Sequence, residues 1–241
     1  MRKRSLKKPL IYYQRMVDRL IDIFRNNYRH FFFNEKEMHA YLYHLFVDKQ
    51  TFLSKNGLNL LHTEYPTPFK CIMGESYSEF QVAPDDSNHK RGHIDIVLIN
   101  PNFISWIFEN KRKFKPIDYI KGLTNKPFCE YIQEMKNVYG EFNCKIKEPI
   151  LLSALEFKFF RRTEGITAPI NLVSQDIQKL LQLETIKVGA EQEIIPFAQE
   201  RRLIVFITEN VKSLETEIIS NEFIKKNSHL LTVVSHDLAN D

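Results

Sequence analysis

Apolar residues recur every three to four positions over residues 10–30, where Met16, Leu20, Ile23 and Phe24 alternate with charged groups, so the chain opens with an amphipathic helix. A second helix is predicted from Asn34, a residue type that caps helix N-termini. It carries Met38, Tyr41, Leu42, Leu45 and Phe46 on one stripe and Glu35 and Glu37 in its first turn. Asn56-Gly57 marks a turn, and residues 58–69 read as a strand containing Pro66 and Pro68, which suits a sheet edge. Residues 71–91 are polar, with a turn signal at 84–88, and read as a loop or exposed hairpin. Apolar runs of strand length follow at 92–99, 103–111 and 150–159, with a helical pattern near 127–139. A further helix is expected from Ser174, burying Ile177, Leu180 and Leu181 and leaving Asp176 and Lys179 off its apolar face. Residues 202–208 form an apolar run typical of a strand covered on both sides; a helix over 211–226 and a strand over 230–235 complete the chain.

Strands alternating with helices indicate an α/β fold, a mixed central sheet with helices on both faces. Residues 1–33 read as a basic N-terminal segment and helix, and 34–241 as the main domain, with a helical insertion at about 102–148 between two strands. The 241 residues, 43% hydrophobic, suffice for a substantial core. A net charge of +4 is compatible with a polyanionic partner. Three cysteines at wide spacings give neither a zinc pattern nor a disulfide framework, and no stretch of signal-peptide or membrane-spanning length follows the basic start. The expectation is a cytoplasmic protein without a membrane partner.

Charge inside the apolar runs is the candidate chemistry. Asp95 interrupts 92–99, and Glu156 and Lys158 interrupt 150–159, where ionised groups are costly unless compensated. Residues two apart on a strand share a face, so Glu156 and Lys158 project together. If Asp95 lies on a neighbouring strand, its carboxylate can join Glu156 on a hard divalent cation such as Mg2+, with Lys158 beside the bound water.

An Asp on one strand followed by Glu-x-Lys on the next resembles the PD-(D/E)XK nuclease superfamily. The resemblance rests on Asp95, Glu156 and Lys158, spans roughly residues 35–210, and implies a restriction-endonuclease-like sheet. It implies an endonuclease or exonuclease in which Asp95 and Glu156 bind Mg2+ (or Mn2+), Lys158 orients the water, and Glu37 is a fourth catalytic member. A polar residue of the following helix often supports the site in that superfamily, and Lys179 is the candidate here, with an exposed helix lysine as the ordinary reading. DNA is the implied partner, and a homodimer or companion proteins of a defence system or mobile element are compatible with it. A second Glu-x-Lys, Glu109 and Lys111, ends the run 103–111 only fourteen residues beyond Asp95. The later pair is preferred because its strand is longer and more apolar and an amphipathic helix follows.

His89, Lys90 and Arg91 precede the Asp95 strand, and Arg161 and Arg162 follow the Glu156 strand, so both groups are candidate phosphate contacts. Glu64 reads as an edge-strand surface residue, with a carboxylate turned into the cavity as the other reading. The competing function is a catalytically silent module of the same fold that binds nucleic acid or protein, its acids serving as internal ion pairs. A small-molecule enzyme is disfavoured by the lack of a Gly-rich phosphate loop or a Gly-x-Ser-x-Gly elbow in a chain with seven glycines.

Overall fold

A computed structural model describes residues 6–31, 35–47, 50–70, 91–110, 118, 120, 128–160, 167–188, 193–208 and 211–236. Helix α1 (Lys7–Phe31) buries Tyr13, Val17, Leu20, Ile21 and Phe24, the apolar stripe that its sequence period requires. Helix α2 (Glu35–Val47) follows, and strands β1 (Leu61–Lys70) and β2 (Arg91–Ile99) form an antiparallel pair. β1 lies at the sheet edge, which accommodates Pro66 and Pro68.

After β2 the chain forms helices, not a third strand. Helix α3 (Pro101–Asn110) takes up most of the 103–111 run, so its reading as a strand is corrected. The reason is local. The Asn100 side chain accepts from the Asn102 N–H at 2.8 Å, capping the helix, and Pro101 supplies a preset φ at its first turn. Phe103, Ile104 and Ile107 are then buried on one side. Helix α4 (Phe128–Ile146) continues this helical connection, and strand β3 (Leu151–Phe160) returns antiparallel to β2.

Helix α5 (Thr167–Gln182) begins seven residues before the expected Ser174, which sits inside it. A two-stranded hairpin, β4 (Thr185–Val188) and β5 (Glu193–Pro196), was not apparent from the pattern. Strand β6 (Ala198–Thr208) then pairs parallel to β3, with Leu203 to Thr208 all buried. The expected helix over 211–226 is divided into α6 (Val211–Ser220) and α7 (Glu222–Lys226), because the Asn221 side chain accepts from the Ile224 N–H and starts a new helix. Strand β7 (Leu231–His236) closes the sheet, whose order is β1-β2-β3-β6-β7.

The architecture is therefore α/β, with a mixed five-stranded sheet flanked by helices. One face, through Phe157, Phe159 and Phe206, meets α1 and α2: Phe24 lies 6.3 Å from Phe159 and 4.5 Å from Phe206, and His39 lies 5.1 Å from Phe157. The other face, through Glu156 and Lys158, meets α5. Helix α1 thus belongs to the same core as the strands. Among the described residues no helix is long and apolar enough to cross a membrane.

Candidate functional site

The site is a fork in the sheet. β2 and β3 pair from Ile99↔Leu151 to Ile96↔Leu155 and no further, so the next residue on each strand, Asp95 and Glu156, stands at the mouth of the split. Beyond it β2 pairs only with β1, and β3 only with β6. The Asp95 carboxylate fills part of the gap, with Oδ2 accepting from the Phe157 backbone N–H at 2.7 Å. A side chain has replaced a backbone acceptor there, which keeps the N–H satisfied where the ladder ends.

Glu64 belongs to the same row. It lies between the pairs Thr63↔Ile96 and Tyr65↔Ile94, opposite Asp95, so three carboxylates occupy successive positions across β1, β2 and β3. Glu64 is exposed on the edge strand, so water screens its charge, whereas Asp95 and the buried Glu156 repel one another more strongly. Glu64 also has φ of 50°, in the left-handed region.

Two helices approach from opposite faces. From α2, His39 Nε2 comes within 3.5 Å of Asp95 Oδ2 without a well-formed hydrogen bond. From α5, Lys179 Nζ sits 2.5 Å from Glu156 Oε2 and 3.4 Å from Asp176 Oδ1, and donates to the His93 carbonyl at 3.0 Å. Asp176 Oδ2 in turn lies 3.0 Å from Lys158 Nζ. The result is a chain of alternating charge, Glu156, Lys179, Asp176 and Lys158, mostly withdrawn from water.

Burial and neighbours tune these groups. Burial is the largest influence on Asp95 and pushes its carboxyl up, but His39, Lys179 and the Phe157 N–H outweigh it and hold the group below the ordinary carboxylate range. Glu156 is 1% exposed; burial, then the negative Asp95, drives its proton affinity well above the usual value, with Lys179 opposing. Lys179 also loses hydration, yet Glu156 and Asp176 raise its pKa and keep it charged. Glu156 Oε1 has no hydrogen-bond partner although it is buried.

Sequence reading and structure meet unevenly at the remaining positions. Asp95 and Glu156 come together, and Lys158 stands two residues beyond Glu156. Glu37 is half-buried on α2, roughly 200° round the helix from His39, and His39 is the residue that α2 presents to Asp95. Glu109 is exposed near the end of α3, so a Glu109-x-Lys111 strand pair is excluded; Lys111 lies outside the described residues. His89, Lys90, Arg161 and Arg162 also lie outside them, and of Arg91 only its backbone place at the start of β2 is described. His93 is exposed and contributes its carbonyl.

Lys179 is the helix residue that the resemblance singles out as a support for the site, while the burial of Asp176 and Lys179 and the part of His39 depart from the sequence reading. Asp176 and Lys179 were expected off the apolar face of α5, but both are buried against β3. A signal was available for Asp176, which falls in step with Val173, Ile177 and Leu180 at helical spacing, while Lys179 follows it by three residues on the same side. His39 had no comparable signal, because the reach of α2 to the fork depends on tertiary packing. No family model, no curated protein and no solved structure matches the chain.

Proposed function

We propose that the chain hydrolyses phosphodiester bonds in DNA with the help of a divalent cation, as the PD-(D/E)XK nucleases that its sequence resembles do. The observation that carries the reading is the fork, with Asp95 and Glu156 at its first unpaired positions and Lys158 on the same strand as Glu156. The strand that carries Glu156-x-Lys158 is followed by a helix, within a mixed sheet flanked by helices, which is the order that the resemblance calls for.

The donor set fits Mg2+ (or Mn2+). Glu156 Oε1 is an orphaned buried acceptor beside a second carboxylate, a combination that a hard cation satisfies. Asp95 and Glu156 would hold the ion, which when bound supplies Lewis acidity toward the phosphoryl group and a more acidic water. The protein's own part is positional. Asp95 stays ionised because His39, Lys179 and the Phe157 N–H stabilise its charge. Lys179 restrains one oxygen of Glu156 and leaves the other free. Lys158, steadied by Asp176, offers a cation for negative charge developing at phosphorus.

Incubation of purified protein with single-stranded and duplex DNA tests this. Cleavage is expected with Mg2+ or Mn2+, none with EDTA, and a loss of roughly 100-fold or more in Asp95→Asn and Lys158→Ala, by the usual size of such electrostatic contributions. Both variants should keep the wild-type circular dichroism spectrum. Full cleavage by Asp95→Asn would overturn the assignment.

One observation favours a second reading, a silent module that binds nucleic acid or protein. Glu156 and Asp176 already carry ammonium partners, Lys179 at 2.5 Å and Lys158 at 3.0 Å. On that reading DNA is retained without cleavage, and Mn2+ calorimetry gives no heat that depends on Asp95.

A further inference from the structure

We infer that His39, Glu64 and Asp95 form a binding site for one first-row transition-metal ion of the Mn2+ type. The inference rests on the reading above for the role of Asp95, and deepens it by adding a nitrogen ligand from α2 and a carboxylate from β1 that the Asp, Glu-x-Lys pattern does not contain.

One donor atom from each of the three residues lies within 4.8 Å of the other two. At metal–ligand distances of about 2.2 Å, ligands of a single ion lie about 3.1 Å apart when adjacent and about 4.4 Å apart when opposite. The His39–Asp95 separation of 3.5 Å is therefore near that of adjacent ligands, and Glu64 completes the set by a side-chain movement from its exposed position. Each donor is held by a separate element. β1 and β2 place Glu64 and Asp95 opposite each other, and α2 lays His39 across the fork.

A second observation, outside the three residues, shows negative charge left uncompensated next to Asp95. Glu156 is 1% exposed, and its Oε1 is buried without a partner while Asp95 is the strongest charge acting on it. A buried carboxylate under the influence of a neighbouring negative charge is doubly unfavourable, from desolvation and from repulsion. Lys179 relieves only Oε2. The ion is the same one that the reading above places at Asp95, so Asp95 is the shared ligand, and its positive charge would offset the repulsion that Asp95 exerts on Glu156. His39 Nε2, itself buried without a well-formed hydrogen bond, is then a ligand kept ready.

The donor types favour a transition-metal ion over Mg2+ or Ca2+. Mg2+ and Ca2+ prefer all-oxygen ligands, whereas imidazole shifts preference toward the transition series; two carboxylates with one imidazole therefore favour Mn2+ over Mg2+.

The test is isothermal titration of the full chain with MnCl2 and with MgCl2. Wild-type protein is expected to bind one Mn2+, and Mg2+ at least about tenfold more weakly. Glu64→Gln and His39→Gln should each weaken Mn2+ roughly tenfold or more, and Asp95→Asn should abolish binding, while Glu222→Gln at an exposed helix start leaves it unchanged. Electron spin-echo spectra of Mn2+-loaded wild-type protein should show modulation from a directly bound 14N, which does not depend on any variant folding. Absence of that modulation, or Mn2+ affinity unchanged in both Glu64→Gln and His39→Gln, overturns the site. Absence of Mn2+ binding to folded wild-type protein does so as well. Failure of the nuclease reading looks different: Mn2+ binds through these ligands and DNA remains intact.

Discussion

Lys179 and Glu156 form a closed ion pair at 2.5 Å, with both side chains buried between α5 and β3. Such pairs contribute little net stability over an apolar filling, since two desolvation costs offset the attraction, but removal of one partner leaves a buried charge uncompensated. Lys179→Met should therefore lower unfolding free energy by about 3–5 kcal/mol. The double variant Lys179→Met/Glu156→Gln should recover a large part of that loss. Urea denaturation of the three proteins gives the comparison, and equal stability of wild type and Lys179→Met would show that the pair is not closed in solution.

The same pair sets a pH dependence. The folded pKa of Glu156 lies above its ordinary 4.5, so the fold favours the protonated form, and this group's contribution to stability falls as pH rises from the unfolded value through the folded one. Lys179 opposes that fall in the wild-type protein. Without it the carboxyl shifts further up, so Lys179→Met should lose more stability relative to wild type at pH 8 than at pH 5. Glu156→Gln in the same background should flatten the difference. Denaturation midpoints at the two pH values measure it.

How far the chain could be read depended on the range of the interactions involved. Alternation and helical period are local, so β2, β3, α1 and the buried β6 were legible, and so was the placing of Asp95 and Glu156 on separate strands. The run 103–111 misled because apolar residues dominate it, while the information lay one step earlier, in Asn100-Pro101 as a helix start. Glu64 is the exposed edge-strand residue that its sequence suggests; what no local pattern reveals is that β1 runs beside β2 in a register that sets it opposite Asp95. Lys179 is the helix residue expected to support the site, but its burial runs against the general rule that lysines are exposed, a rule that yields when a buried carboxylate supplies the compensation.

Glu64 gives a prediction that separates backbone from charge. Its φ of 50° costs a residue with a Cβ roughly 1–2 kcal/mol, a cost that glycine avoids. Glu64→Gly should thus raise stability by about 1 kcal/mol, after some of the gain is lost to the greater freedom of the unfolded chain. Glu64→Gln, which keeps the Cβ, should show none of the gain from relief at the backbone. If neither variant changes the thermal midpoint relative to the other, the left-handed conformation is not held in solution.

The docking of α1 can be tested through one ring. Phe24 is fully buried and lies 4.5 Å from Phe206 and 6.3 Å from Phe159, so α1 closes the face of the sheet opposite α5. Truncation in such a setting removes transfer energy and leaves a cavity; Phe24→Ala should cost about 3–5 kcal/mol. Because the ring touches β3 and β6 together, the loss should appear as one cooperative transition at a lower midpoint, monitored by far-ultraviolet and near-ultraviolet dichroism alike. Were residues 1–33 a separate appendage, the sheet would melt at its wild-type temperature while only the helical signal of α1 was lost early. The predicted coincidence of the two signals follows from Phe24 sharing the neighbour Phe206 with Phe157, whose backbone N–H anchors Asp95 at the fork. On this account the same variant should also weaken Mn2+ binding at temperatures close to its own midpoint, and leave it unchanged well below.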